Sequence, residues 1–159
     1  MRKTIFWAYI LLACLFTACQ DSSKLIVSDL QCEYLNAPLA IDNTTPHFGW
    51  KMTGGQNGIS SSAYQVLVAT ELDKLNEEEA DLWNSGKVSS DTSIGIAYGG
   101  KALTSRTQAY WKVRVWNQAD VPSEWSKPSS FGIGMLSEND WSAEARFIGV
   151  EQADEKSQS

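Results

Sequence analysis

The sequence is short of the residues on which most site chemistry depends. Its single histidine, His47, has no partner in the chain for metal or triad chemistry. Two of its three cysteines, Cys14 and Cys19, fall within the first two dozen residues, which leaves Cys32 as the only one in the expected folded part. A lone cysteine closes no internal disulfide, and a small core residue is its expected role. Basic residues number 13 against 19 acidic ones, a net charge of −6, which argues against nucleic acid as a partner. The apolar run from Ile5 to Phe16 is shorter than the roughly 20 residues that a membrane-spanning helix needs. The acidic run Glu77-Glu78-Glu79 sits where a short helix is expected. Consecutive carboxylates fan out around a helix axis, so a solvated face is expected there, not paired catalytic acids. No catalytic residue, cofactor or metal set is assigned.

What is present begins with an export signal. Arg2 and Lys3 precede the apolar run, small residues follow it, and then comes the polar stretch Gln20-Asp21-Ser22-Ser23. Phe16-Thr17-Ala18-Cys19 has the pattern of a bacterial lipobox. Cleavage before Cys19 would free its thiol for diacylation and its amine for a third chain, each buried CH₂ contributing about 0.8 kcal/mol. Leu11-Leu12-Ala13-Cys14 is a competing box, but it would leave a very short apolar region and an apolar mature start. The expectation is a signal peptide over 1–18, a linker over 19–24 starting at lipidated Cys19, and anchoring in the cell envelope, periplasmic or on the outer-membrane surface.

From Lys24 onward the pattern is all-β. Leu30, Cys32 and Tyr34 alternate with polar neighbours in a strand expected over 25–35. His47–Met52 predicts a second strand, and Ala63–Ala69 a third, buried on both faces for part of its length. One or two helical turns are expected in Glu71–Asp81, where Leu72 and Leu75 stand three apart. Leu82–Val88 reads as a strand broken by a turn, Ser93–Ala97 as a short strand, and Ser130–Met135 as the last. Ala109–Asn117 is the most regular strand. Period two puts Trp111, Val113, Val115 and Asn117 on the core face, and Tyr110, Lys112, Arg114 and Trp116 on the other. With Trp50, Val66, Val68 and Leu103 added, these aliphatic and aromatic positions form the expected core. About seven short strands with turn residues between them predict a β-sandwich over 25–136. A second, truncated module would start over 137–149, ahead of a disordered tail over 150–159.

Leu103, Trp111-x-Val113-x-Val115-x-Asn117 and Ser123-Glu124-Trp125 resemble the second half of a fibronectin type III (immunoglobulin-like) domain, and Pro46 with Trp50 resembles its second strand. More closely, the chain resembles the N-terminal module of bacterial α-L-rhamnosidases of glycoside hydrolase family 78. The similar segments are Leu30–Tyr34, Pro38–Asp42, Thr45–Trp50, Ala63–Ala69, Asp81–Val88, Tyr98–Gly100 and Tyr110–Trp116. Asp140–Ala143 with Phe147–Gly149 resembles the entry to a carbohydrate-binding-type sandwich that follows in that family. Three positions depart from the pattern. Ala40 stands where glycine is usual and His47 where arginine is common. Ala109 occupies the place of the corner tyrosine of fibronectin domains.

The resemblance implies an inverting glycosidase whose acid and base, ~6.5–9.5 Å apart, lie in a downstream helical barrel. No position of this chain matches a motif that carries them. The resemblance therefore implies a non-catalytic spacer that packs against neighbouring rhamnosidase domains and is held to the membrane through Cys19. The outward set Tyr110, Lys112, Arg114 and Trp116 is its expected interface. The competing reading is a stand-alone carbohydrate-binding lipoprotein, with Trp116 or Trp83 stacking on a pyranose. Asn43-Thr44-Thr45 fits a glycosylation sequon, and in a bacterial-type lipoprotein reads as chance.

Overall fold

The structure, a computed structural model, describes residues 24–54 and 60–143. The expected signal peptide, Cys19 and the tail over 150–159 lie outside the described residues. Eight strands form two antiparallel sheets that face each other as an immunoglobulin-like sandwich. They are β1 (Ile26–Cys32), β2 (His47–Thr53), β3 (Ser61–Ala69), β4 (Trp83–Asn84), β5 (Val88–Ser89), β6 (Ile96–Ala97), β7 (Gln108–Asn117) and β8 (Ser129–Gly132). The smaller sheet has the order β1-β2-β6, and the larger β4-β3-β7-β8, with β5 also pairing β3.

Alternation along β2 sends Phe48 and Trp50 inward, where they meet Val66 and Val68 of β3, and Trp111, Val113 and Val115 of β7. Phe48 packs 4.4 Å from Trp111 and 5.6 Å from Phe131, centroid to centroid, so aromatic rings bridge the two sheets. All seven positions named above for the core are buried, and Cys32 is buried with them. The indole N–H groups of Trp50 and Trp111 find no acceptor among the described residues. Each unmet donor costs about 1–3 kcal/mol, which the burial of its large ring must exceed.

Three local expectations need correction. β1 ends at Cys32, and its pairing with β2 slips between Ser28 and Gln31 at a bulge where Asp29 takes φ 49°. The inward phase accordingly changes from Leu25 and Val27 to Leu30 and Cys32. Glu33 and Tyr34, at φ 50° and 62°, then form a tight reversal closed by paired backbone bonds between Cys32 and Leu35. Tyr34 is consequently exposed. The segment 71–81 contains turns and no helix. The Asn76 side chain accepts from the backbone N–H of Glu78 and Glu79, and such local bonds compete with a helix too short to nucleate. Leu72 faces water, while Leu75 covers Leu67 and Ala69 on the outer side of the larger sheet. That cover explains why β3 is buried on both faces. Finally, the last strand stops at Gly132, and Ile133 continues as a parallel bridge to Ile41.

The departures from the family pattern are accommodated locally. Ala37, not Ala40, carries the positive φ in its turn, at 46°. In place of a corner tyrosine on β7, buried Tyr98 pins a neighbouring connection, its hydroxyl donating to the Lys101 carbonyl at 2.8 Å.

Candidate functional site

The outer face of β7 is occupied by the chain itself. Arg114 lies between two indoles, its guanidinium carbon 4.9 Å from the Trp116 centroid and 4.6 Å from that of Trp125. Lys87 covers Trp116 and Lys112 covers Trp125, each at 4.9 Å, which completes an alternating cation–aromatic ladder. Arg114 also donates to Gln65 Oε1 at 2.8 and 3.1 Å and to Glu77 Oε1 at 2.6 Å. Lys87 is paired with Asp120. Burial pulls the Lys112 ammonium below its usual range; Glu77 opposes that shift and Arg114 adds to it.

This ladder corrects the role expected for the outward set. Trp116 is only 7% exposed, because Lys87 and Arg114 lie over its ring. Its face is therefore closed to a sugar or a partner domain. Tyr110 is half-buried beside Leu67, Ala69 and Leu75. Trp83 is also unavailable: it packs against Phe48 and Tyr98, and Gly99 approaches its ring closely. Glu77 is not merely solvated, since it pairs with Arg114. Trp125, which the β7 alternation could not place, supplies the second aromatic rung.

The outer face of the smaller sheet is different. The outward positions of β2 are His47, Gly49 and Lys51, and Gly49 stands opposite Gln31 of β1. A glycine inside a strand leaves a gap in the row of side chains. Here the gap is a hollow of about 160 Å³ bordered by Asp29, Gln31, Tyr34, His47, Lys51 and Ile94. Lys51 and Asp29 are paired at 3.0 Å. Glu33 Oε1 accepts from the His47 backbone N–H at 2.7 Å, from Asn43 at 3.0 Å and from His47 Nδ1 at 3.1 Å. Burial pushes the Glu33 carboxyl up, but these hydrogen bonds outweigh it and hold the group below the ordinary glutamate range. A glycine in mid-strand and a tyrosine at a tight turn were the sequence signals for this hollow.

A wider apolar groove, about 800 Å³, opens between β1 and residues 124–129. Among the described residues no group of three or more His, Cys, Asp or Glu is placed to hold a metal. No described helix is long and apolar enough to cross a membrane.

Two antiparallel sheets in this strand order, packed face to face over an aromatic core, define the class of immunoglobulin-like β-sandwich domains. Residues 27–137 match the family described as Rha78A-like, N-terminal immunoglobulin domain, and the chain belongs to that family. It is 42% identical over 148 residues to an α-L-rhamnosidase of Formosa agariphila, covering 91% of this chain and 15% of that protein. An α-L-rhamnosidase of Streptomyces avermitilis is 40% identical over 121 residues, 76% of this chain and 12% of that one. The crystal structure of the S. avermitilis α-L-rhamnosidase complexed with L-rhamnose superposes with a TM-score of 0.71 at 40% identity, over 74% of this chain and 11% of its own. The Dictyoglumus thermophilum α-L-rhamnosidase superposes at 0.69 and 36% identity, over 72% and 13%. The chain thus spans less than a sixth of the length of these relatives.

Proposed function

We propose that this domain is the non-catalytic N-terminal module of an exported α-L-rhamnosidase, a spacer that packs against the next domain and is tethered to the cell envelope by lipid on Cys19. The observation that carries the reading is the span of the family match. It takes in all eight strands apart from Ile26 at the start of β1, yet relatives of this name devote only 12–17% of their length to the matching region. A spacer requires a defined exit for the chain and an apolar end for its neighbour. The exit is strapped down: the Asp140 carboxylate accepts from Ser105 Oγ at 2.5 Å and from the backbone N–H of Ser137 and Leu136 at 2.8 and 2.9 Å. Arg106 donates to the Asp140 carbonyl. Five of the ten exposed large apolar side chains among the described residues, Leu35, Leu39, Met135, Leu136 and Trp141, belong to this end of the sandwich or the chain leaving it. Leu39 is 87% exposed. This end, and not the β7 face, is the docking surface on the present reading.

Two assays test the proposal. The purified chain should release no 4-nitrophenol from 4-nitrophenyl α-L-rhamnopyranoside, and turnover that tracks the protein through purification would overturn the non-catalytic role. Expressed in a bacterium fed a clickable palmitate analogue, the chain should become labelled and Cys19→Ser should not. Equal labelling of both would remove the lipid anchor from the account.

A further inference from the structure

The sequence directs attention to Trp116 and Trp83 as sugar platforms, and the structure closes both. Among the described residues it leaves one exposed aromatic ring, Tyr34, beside a hollow that has polar side chains on its border. We infer that the outer face of β1-β2 is a single-ring sugar site, with Tyr34 as its stacking surface and a 6-deoxyhexose as the sugar that fits it.

Gly49 creates the hollow. Phe48 and Trp50 point into the core, so the missing side chain of Gly49 lies on the outer face, in the middle of the central strand. An added Cβ would lie 3.5 Å from the Ser93 carbonyl and 3.7 Å from Ile94 Cα, so a larger side chain would occupy the hollow. At about 160 Å³ the space is below the ~300–1,000 Å³ of pockets that enclose a drug-sized molecule, and suits one pyranose ring.

The border carries both kinds of group that a sugar requires. Tyr34 is 69% exposed and enters none of the ring contacts, so its face is open to the C–H side of a pyranose. Polar groups stand around it. The Asp29 carboxylate accepts from hydroxyls, and the Lys51 ammonium beside it donates. The Gln31 amide has no partner among the described residues and offers both roles. In the neutral imidazole, Nδ1 carries the proton in the bond to Glu33 Oε1, which leaves Nε2 as an acceptor.

Ile94 selects among sugars. It is 63% exposed at the border, and an apolar side chain there favours a methyl over a hydroxymethyl at C5. The choice of rhamnose as the probe rests on the proposed function above; the stacking and hydrogen-bonding geometry does not.

The test is a titration of the ¹⁵N-labelled chain with methyl α-L-rhamnopyranoside, followed by amide chemical shifts. The expected result is saturable movement at Gln31, Gly49, Lys51 and Gly95, with a dissociation constant on the order of millimolar. Tyr34→Asn removes the ring yet tolerates the left-handed backbone at φ 62°, and should weaken binding about tenfold. Gly49→Val should abolish binding while the remaining amide shifts report an intact fold. L-mannose, the 6-hydroxyl analogue, should bind several-fold more weakly than L-rhamnose under the same conditions. No saturable shift at 100 mM sugar, shifts clustered elsewhere, or unchanged affinity in Tyr34→Asn would overturn the site. Equal binding of L-mannose and L-rhamnose would overturn the deoxysugar assignment. Failure here leaves the spacer reading standing, since that reading falls on the hydrolysis assay instead.

Discussion

Arg114 offers the sharpest test of the physical account, because its guanidinium holds the outer layer of the larger sheet together. Alanine at this position removes two stacked contacts, each worth about 0.5–1 kcal/mol. It also removes two hydrogen bonds from a charged donor to Gln65, a class worth about 1.5–3 kcal/mol each at best. The pair with Glu77 adds little, since that carboxylate is half exposed and an open ion pair contributes about 0–1 kcal/mol. Water recovers part of the hydrogen bonding, so a net loss of roughly 2–4 kcal/mol is expected. For a domain of this size that is a fall in Tm of at least about 8 °C. Arg114→Lys keeps the charge but loses the planar stack and the fork, and should recover less than half of the loss. Urea unfolding followed by tryptophan fluorescence measures both variants. Because stacking and neutral acceptors dominate, 1 M NaCl should change the Arg114→Ala difference by less than about 0.5 kcal/mol. A loss below about 0.5 kcal/mol, or full rescue by lysine, would refute the ladder as a stabilising element.

Other predictions concern titration, close packing and thiol access. Burial raises the Asp81 carboxyl, but bonds from the Thr70 hydroxyl and N–H and the nearby Lys74 leave it below the usual range, as the bonds to Glu33 do for that group. Both contribute stability that is full above their unfolded values, about 3.9 and 4.3, and is lost as pH falls through their lower folded values. Denaturant midpoints should therefore drop below about pH 4, and Asp81→Asn with Glu33→Gln should flatten that drop. Gly132→Ala would put a methyl 2.2 Å from the Leu39 carbonyl oxygen, forcing apart the backbone pairing of 38–41 with 132–134 at a cost of about 1–3 kcal/mol, whereas Gly49→Ala should be nearly neutral; thermal melts of the two compare them directly. Burial, and then the Glu33 charge, push the Cys32 thiol up to about 12, so it should resist a disulfide reagent at pH 8 until urea unfolds the domain.

The sandwich was legible because period two is unambiguous where one face of a strand is fully buried. Trp111, Val113 and Val115 show it in β7, and Phe48 and Trp50 show it in β2. The phase was lost at Asp29, where a bulge shifts side chains by one position with no glycine to announce it. The helix expected over 71–81 failed because Asn76 and the Thr70–Asp81 bonds fix that segment as a loop, and neither bond shows in a hydrophobic pattern. Alternation groups Tyr110, Lys112, Arg114 and Trp116 on one side of β7, yet Trp116 is buried there. Alternation tells which side a residue faces, but not that Trp125, Glu77 and Lys87 return from distant parts of the chain to cover it. The hollow at Gly49 escaped for a related reason: its border joins β1, the following turn, β2 and the loop before β6, which only the pairing of the sheet brings together.

The central claim is that this domain belongs at the front of an α-L-rhamnosidase. It is tested most directly by reading the gene for several hundred bases beyond the codon for Ser159, in all frames. The account predicts a frame that encodes the strands of a second sandwich and then a helical barrel bearing carboxylates. Sequence unrelated to any such domain would contradict it.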